Sequence, residues 1–500
     1  MVKSSYLGLG RVAGVLMPLS SLPSPYGIGS MGKEAFDFID LLAECGQSLW
    51  QVLPLNPTSY GDSPYQSPAS MAGNPYFIDL PSLRADGLLT ARELAAARTD
   101  EKRINYGRLF SERYALLRVA FSRFVPDEDY YSFIKRNKDW INDYALFMAL
   151  KVHYSYRPWV EWDECHRDVR AARLCAHELE AECDFWRFLQ YTFFTQWKTV
   201  HGYARMRGIK IIGDMPIYVA HDSMDVWCAP EQFLLGDDLM PKRVAGCPPD
   251  AYAEDGQLWG NPIYDWERME REGFGWWCNR VKRSFALYDI LRIDHFRGFA
   301  GYYSIPYGEP TARGGDWRSA PGAALFDKIK ATFPRARIIA EDLGFITDDV
   351  RELLAYTGFP GMKMLQFAFY DPNSEYLPHT YTTENCVVYT SSHDSDCTRS
   401  WYATLDKSAR AIFRRECKPE AGETKTAALI RCAMASRADL VIIPMQDYLE
   451  LGTEGRMNVP SEAEGNWQWR MKKRYDTPSL RARMAGAARR GGRFKKRKAL

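Results

Sequence analysis

Residues 288–298 read YDILRIDHFRG, an apolar run that abruptly acquires Arg292, Asp294, His295 and Arg297. Four charged or titratable groups at the end of a core strand are costly unless they are paired or used. Seven other short apolar runs punctuate the chain: RVAGVLMPLS (11–20), SLWQVLPLN (48–56), IKIIGDMPIYVA (209–220), ARIIAEDLG (336–344), GMKMLQFAF (361–369), CVVYTSSHD (386–394) and LVIIPMQDYL (440–449). Continuous apolar runs of this length fit strands buried on both faces, as parallel strands are. Helix-like patterns such as GKEAFDFIDLLAEC (32–45) and ITDDVRELLAYTG (346–358) separate several of them. Strand and helix alternating eight times predicts an α/β fold, a (β/α)8 TIM barrel, with an open doubly wound sheet as the alternative.

Uneven spacing locates the insertions. Residues 81–205 separate the second and third strands and are rich in helix formers, which predicts a largely helical subdomain. Residues 222–285 separate the third and fourth and hold the Trp- and Gly-rich segment GCPPDAYAEDGQLWGNPIYDW (246–266), read as a long lid loop. The catalytic unit is expected to span 1–480, with no separate C-terminal β-sandwich. Residues 481–500 carry nine Lys or Arg and no acid, and are expected to be a disordered basic tail. Setting those nine aside turns the net charge of +2 into −7 for the rest of the chain. No basic face for nucleic acid is therefore expected.

Eleven scattered cysteines without a CxxC pair point to free thiols in a reducing compartment. Arg11, Pro18 and Pro23 interrupt the apolar start, which argues against a signal peptide. No stretch reaches the roughly 20 apolar residues of a membrane helix. A cytoplasmic protein, monomer or homodimer, is the expectation.

Barrel active sites gather at the carboxyl ends of the strands, and four proposed strands end in acids: Asp214, Asp294, Glu341 and Asp394. A single acid in such a place more often caps the next helix. Four together, with Arg292 two residues before one and His393 beside another, suggest a functional cluster. Arg292 and Asp294 would point the same way along a strand, and the guanidinium would depress the carboxylate's pKa and keep it ionised. Retaining glycosyl transfer needs one ionised and one protonated carboxylate. Divalent-metal chemistry also uses converging carboxylates, but no HxH or HExxH spacing is present. The GxG of LGLGRVAG precedes the first strand, where a phosphate-binding turn would not sit. Neither a metal nor another cofactor is expected.

Motifs in a fixed order sharpen this. PLSSLPSPYGIGSMG (18–32), YGDSPYQSPASMAGNPYFIDL (60–80), IIGDMPIYVAHDSMDVW (211–227), LRIDHFRGF, IIAEDLG, GFPGMKMLQFAF, SSHDSD and GRMNVP (455–460) resemble the amylomaltase family of 4-α-glucanotransferases, a branch of the α-amylase clan, over roughly residues 1–470. The resemblance implies transfer of α-1,4-glucan segments between donor and acceptor sugars by double displacement. It implies Asp294 as nucleophile, Glu341 as general acid/base and Asp394 as the transition-state-stabilising third carboxylate. Asp214, Arg292, His295 and His393 would hold the donor sugar, and Tyr60 would stack on it. Asp250, Tyr252 and Trp259 would belong to the enclosing lid, and Asn458 would be a further substrate contact. Two departures stand out. Ala251 occupies the place of a lid aromatic, and Ser391-Ser392-His393-Asp394-Ser395 replaces the family's Gly-Thr-His-Asp-Asn. The alternatives are an α-glucan hydrolase of the same clan and a catalytically silent glucan-binding protein.

Overall fold

The computed structural model describes all residues except 1–5, 60, 176, 250–252, 345, 461, 463 and 497–500. Twelve strands occur among the described residues: β1 (Val12–Leu16), β2 (Leu49–Gln51), β3 (Lys210–Met215), β4 (Arg243–Cys247), β5 (Gln257–Pro262), β6 (Ile290–Ile293), β7 (Gly301–Pro306), β8 (Asp316–Ser319), β9 (Ile338–Ala340), β10 (Gly361–Met364), β11 (Cys386–Tyr389) and β12 (Leu440–Pro444). Eight of them close a barrel in the order β1-β2-β3-β6-β9-β10-β11-β12, every pairing parallel. Each of the eight apolar runs supplies one barrel strand, so the open doubly wound sheet is excluded. VAGVL and LVIIP are buried at every position, the signature of strands covered by side chains within and helices without. A Cβ at Gly213 would collide with the ring of Tyr288, so the residue before Asp214 must be small for β3 to pack there.

Between β2 and β3 lie helices that include Ile141–His153 and Glu180–Met206. The latter docks on the base of β6. Trp197 Nε1 donates to the Leu287 carbonyl at 2.9 Å, and His201 Nε2 meets Asp289 Oδ2 at 2.9 Å. Asp289 also accepts from Ile211 N–H at 3.0 Å, tying β3 to the start of β6. The polar residue before ILRI is thus explained by pairing.

Two sequence expectations change. The segment read as a long lid loop contains β4 and β5, an antiparallel pair that joins β7 and β8 in the sheet order β5-β4-β7-β8. Gly and Pro concealed the strands. β7 and β8 follow the fourth barrel strand, so part of this sheet comes from a segment not read as an insertion. The basic tail is the second correction, because Pro478–Arg490 is a helix capped by the Thr477 side chain, which accepts from Leu480 N–H at 3.2 Å. Leu480, Met484 and Ala488 recur at helical spacing among the arginines and are buried. Beyond it Arg493 is 0% exposed and donates to the carbonyls of Met434 (2.9 Å), Val12 (3.3 Å), Asp439 (2.9 Å), Ser436 (2.9 Å) and Ala438 (2.7 Å). This segment closes the barrel at the start of β1 and β12.

Candidate active site

The register of the barrel assembles the site. Asp214 on β3 is the direct partner of Arg292 on β6, so their side chains lie side by side. Arg292 Nη1 donates to both Asp214 oxygens at 2.7 Å and to Asp294 Oδ1 at 3.0 Å. Its Nε faces Met362 Sδ on β10 at 3.4 Å. One buried guanidinium therefore links two carboxylates at the mouth. Three of the four polar groups that end the fourth strand's motif are accounted for here: Arg292 and Asp294 by pairing, His295 by the contacts that follow.

β9 lies beside β6, with Ile293 opposite Ala340, so Asp294 and Glu341 emerge from neighbouring positions. His295 has φ 49° and ψ 51°, a left-handed conformation uncommon for any residue with a Cβ. That conformation aims its backbone N–H at Glu341 Oε2, 2.6 Å away, while Leu343 N–H donates to Oε1 at 3.0 Å. Local strain of this kind is kept where the surroundings over-determine it.

Burial pushes the Glu341 carboxyl up to about 8, helped by the nearby Asp294 charge and opposed by Arg292 and the two N–H groups. Burial also raises Asp294, to about 6; Arg292 opposes this, while Asp214 and Asp394 add to it. Arg292 lowers the pKa of Asp294 as expected from the sequence, but burial is the larger effect, so the net shift is upward. The order of the pair is what chemistry needs. Both carboxyls are raised, Glu341 further than Asp294.

Asp394 lies beyond β11. Its Oδ2 is 3.1 Å from His393 Nε2 and its Oδ1 accepts from Asn458 Nδ2 at 2.7 Å. Burial alone would raise its pKa, but His393 and Asn458 outweigh it and hold the carboxyl near about 2. The same pairing raises His393 against the cost of burial. Asn458 thus sits on Asp394. His295 goes the other way: burial, then Arg297, lower its pKa to about 3, so the ring is neutral. Trp259 on β5 meets it edge to face at 4.8 Å between centroids, which brings the lid sheet over the site.

Tyr65, which the sequence reading did not single out, belongs here. Its hydroxyl donates to Asp214 Oδ2 at 2.7 Å and its ring stacks on His393 at 5.3 Å with 12° between planes. Trp467 packs against both rings. Tyr65 lies in the same quoted motif as Tyr60, and sequence alone offers no way to choose between them. Tyr60, Asp250 and Tyr252 lie outside the described residues, as does Ala251. Among the described residues no group of three or more His, Cys, Asp or Glu is placed to hold a metal ion.

Comparison with known proteins agrees with this geometry. Residues 17–476 match the family of 4-alpha-glucanotransferases. The 4-alpha-glucanotransferase of Clostridium butyricum is 46% identical over 478 residues, covering 93% of this chain and 97% of that protein. That of Aquifex aeolicus is 47% identical over 473 residues, covering 93% and 96%. The structure of amylomaltase from Streptococcus agalactiae in complex with acarbose superposes with a TM-score of 0.94 at 39% identity, covering 97% of this chain and all of that one (100%). With eight parallel strands, paired carboxylates at their carboxyl ends and full-length relatives of one activity, this chain belongs to the 4-alpha-glucanotransferase family and carries its transferase activity.

Proposed function

We propose that the transfer is a retaining double displacement in which Asp294 is the nucleophile and Glu341 the general acid and base. The observation that carries the reading is the contrast between two adjacent acids, Asp294 bridged to Arg292 and Glu341 held by two backbone N–H groups, with burial lifting Glu341 further. An Asp294 oxygen attacks the anomeric carbon of an α-1,4-linked glucan as Glu341 gives its proton to the leaving oxygen. The glycosidic C–O bond breaks and a β-linked glucosyl ester on Asp294 forms. Glu341, now ionised, takes the proton of an acceptor 4-hydroxyl, whose oxygen attacks the ester carbon and restores the α-linkage.

The neighbours divide the remaining tasks. Asp394, ionised and oriented by His393 and Asn458, faces the ring as it flattens and becomes cationic. Asp214 and Arg292 form the floor of the donor subsite, and the Tyr65 ring lies beside it. Trp259 on the lid sheet offers a face to sugar and shields the ester from water. Maltooligosaccharides, starch or glycogen fit such a cleft, and the relative's acarbose complex supports a glucan-shaped donor subsite. All eleven cysteines are free thiols, which supports a reducing, cytoplasmic setting, and no described helix is long and apolar enough to cross a membrane. Incubation with maltotriose alone tests the reaction class. Glucose together with maltotetraose and longer glucans is expected; a profile of glucose and maltose with nothing longer would make the chain a hydrolase.

A further inference from the structure

The carboxylate of Asp447 takes no part in the chemistry above, yet it sits directly beneath the loop that presents Asp394. It belongs to the short helix Met445–Tyr448 that leaves β12 and is 0% exposed. Its Oδ2 accepts from Thr390 Oγ1 at 2.6 Å, Ser391 Oγ at 3.0 Å and Thr398 Oγ1 at 2.7 Å, and its Oδ1 accepts from Thr398 N–H at 2.9 Å. Thr390 and Ser391 precede His393 and Asp394, while Thr398 follows them. One carboxylate therefore ties both ends of the loop. The preceding residue, Gln446, donates Nε2 to the Gly455 carbonyl at 3.3 Å and steadies the segment that brings Asn458 to Asp394. The side chain that fixes the loop and the one that steadies its partner segment are consecutive residues.

A buried carboxylate is a costly way to close a loop that three hydroxyls and an amide could close with a neutral group. What it supplies is two acceptor oxygens on one side chain, which hold three hydroxyls and a backbone N–H at once and so stiffen the loop. Stiffness matters because Asp394 keeps 44% of its side chain open to the mouth and so lacks packing on that side. We propose that Asp447 is a positioning residue for glucan transfer: by pinning loop 390–398 at both ends it fixes the Asp394 carboxylate against the cationic sugar ring. The proposal rests on the reading of Asp394 given above.

A double-mutant cycle tests it, using Asp447→Asn, Asp394→Asn and the pair, with α-maltosyl fluoride as donor so that slow variants remain measurable. Asp447→Asn is expected to lower kcat about 10- to 100-fold with little change in KM, the size of effect a misplacement of about an ångström produces. In the Asp394→Asn background it should cost nothing further, because the two residues act as one unit. Normal kcat in Asp447→Asn, or the same fold-loss in both backgrounds, would overturn the proposal. Should Asp447→Asn not fold at the assay temperature, Thr398→Val, which removes one hydroxyl and keeps the backbone N–H, goes through the same cycle with the same two outcomes. If Asp394→Asn itself transfers normally, the reading of Asp394 fails; if it is slow and Asp447→Asn is not, only the positioning role fails.

Discussion

At the scale of single residues, the site works by separating two carboxyls that would otherwise titrate alike. Burial lifts both, and the ordering comes from their contacts: Arg292 donates to Asp294, while Glu341 is pushed further by the charge on Asp294. The reaction needs Asp294 unprotonated and Glu341 protonated, so activity rises as pH climbs through the lower value and falls as it passes the upper. A bell-shaped kcat/KM profile with apparent limbs near 6 and 8 is expected, the two values belonging to the pair and not to either residue alone. Glu341→Gln should abolish the alkaline limb when assayed with a glycosyl fluoride, whose leaving group needs no proton. A profile that still falls above pH 8 in that variant would assign the upper limb elsewhere. Asp394, held near about 2, stays ionised across the range and adds no limb. The three acids could be picked out in the sequence because each closes or follows an apolar run. What the sequence could not show is how burial balances against partners contributed by β3, β6 and the 458 segment, which sets how far each acid is shifted.

At the scale of elements, what positions the chemistry is register. One residue of slip between β3 and β6 would part Asp214 from Arg292, and a slip between β6 and β9 would part Asp294 from Glu341. The lid is the element the sequence described least well. Its Gly and Pro content reads as loop, yet β4 and β5 pair because β7 returns alongside them, a contact between segments far apart in the chain. Gln66 Nε2 donates to Asn261 Oδ1 at 3.0 Å, so β5 is tied to the segment that carries Tyr65. Trp259→Ala should therefore leave folding intact but lower the ratio of transfer to hydrolysis about 2- to 10-fold, the worth of one aromatic contact. Separate quantification of free glucose and of elongated glucans from maltotriose measures that ratio. An unchanged ratio would remove Trp259 from water exclusion.

At the scale of the molecule, the chain is one barrel whose insertions and C-terminal segment lock specific seams. Composition hid the last of these. Arginines among alanines read as a solvated tail, but helix Pro478–Arg490 delivers Arg493 into a cage of five carbonyls between β1 and β12. Arg493→Ala would leave those carbonyls underserved and is expected to cost about 3 kcal/mol or more. The reading is a lower denaturation midpoint at unchanged slope, with normal kcat well below the transition. A wild-type midpoint would return the segment to the role of a tail. The reaction also belongs to the whole molecule, since nucleophile, acid and lid come from β6, β9 and the antiparallel sheet, and its central claim is the ester on Asp294. The direct measurement is to mix Glu341→Gln with α-maltosyl fluoride in the absence of acceptor, quench, digest and locate the adduct by mass spectrometry. The account predicts a maltosyl ester on the peptide containing Asp294, which persists when glucose is added because the base that activates the acceptor hydroxyl is gone. Fluoride release without any adduct, or an adduct on another residue, would contradict it.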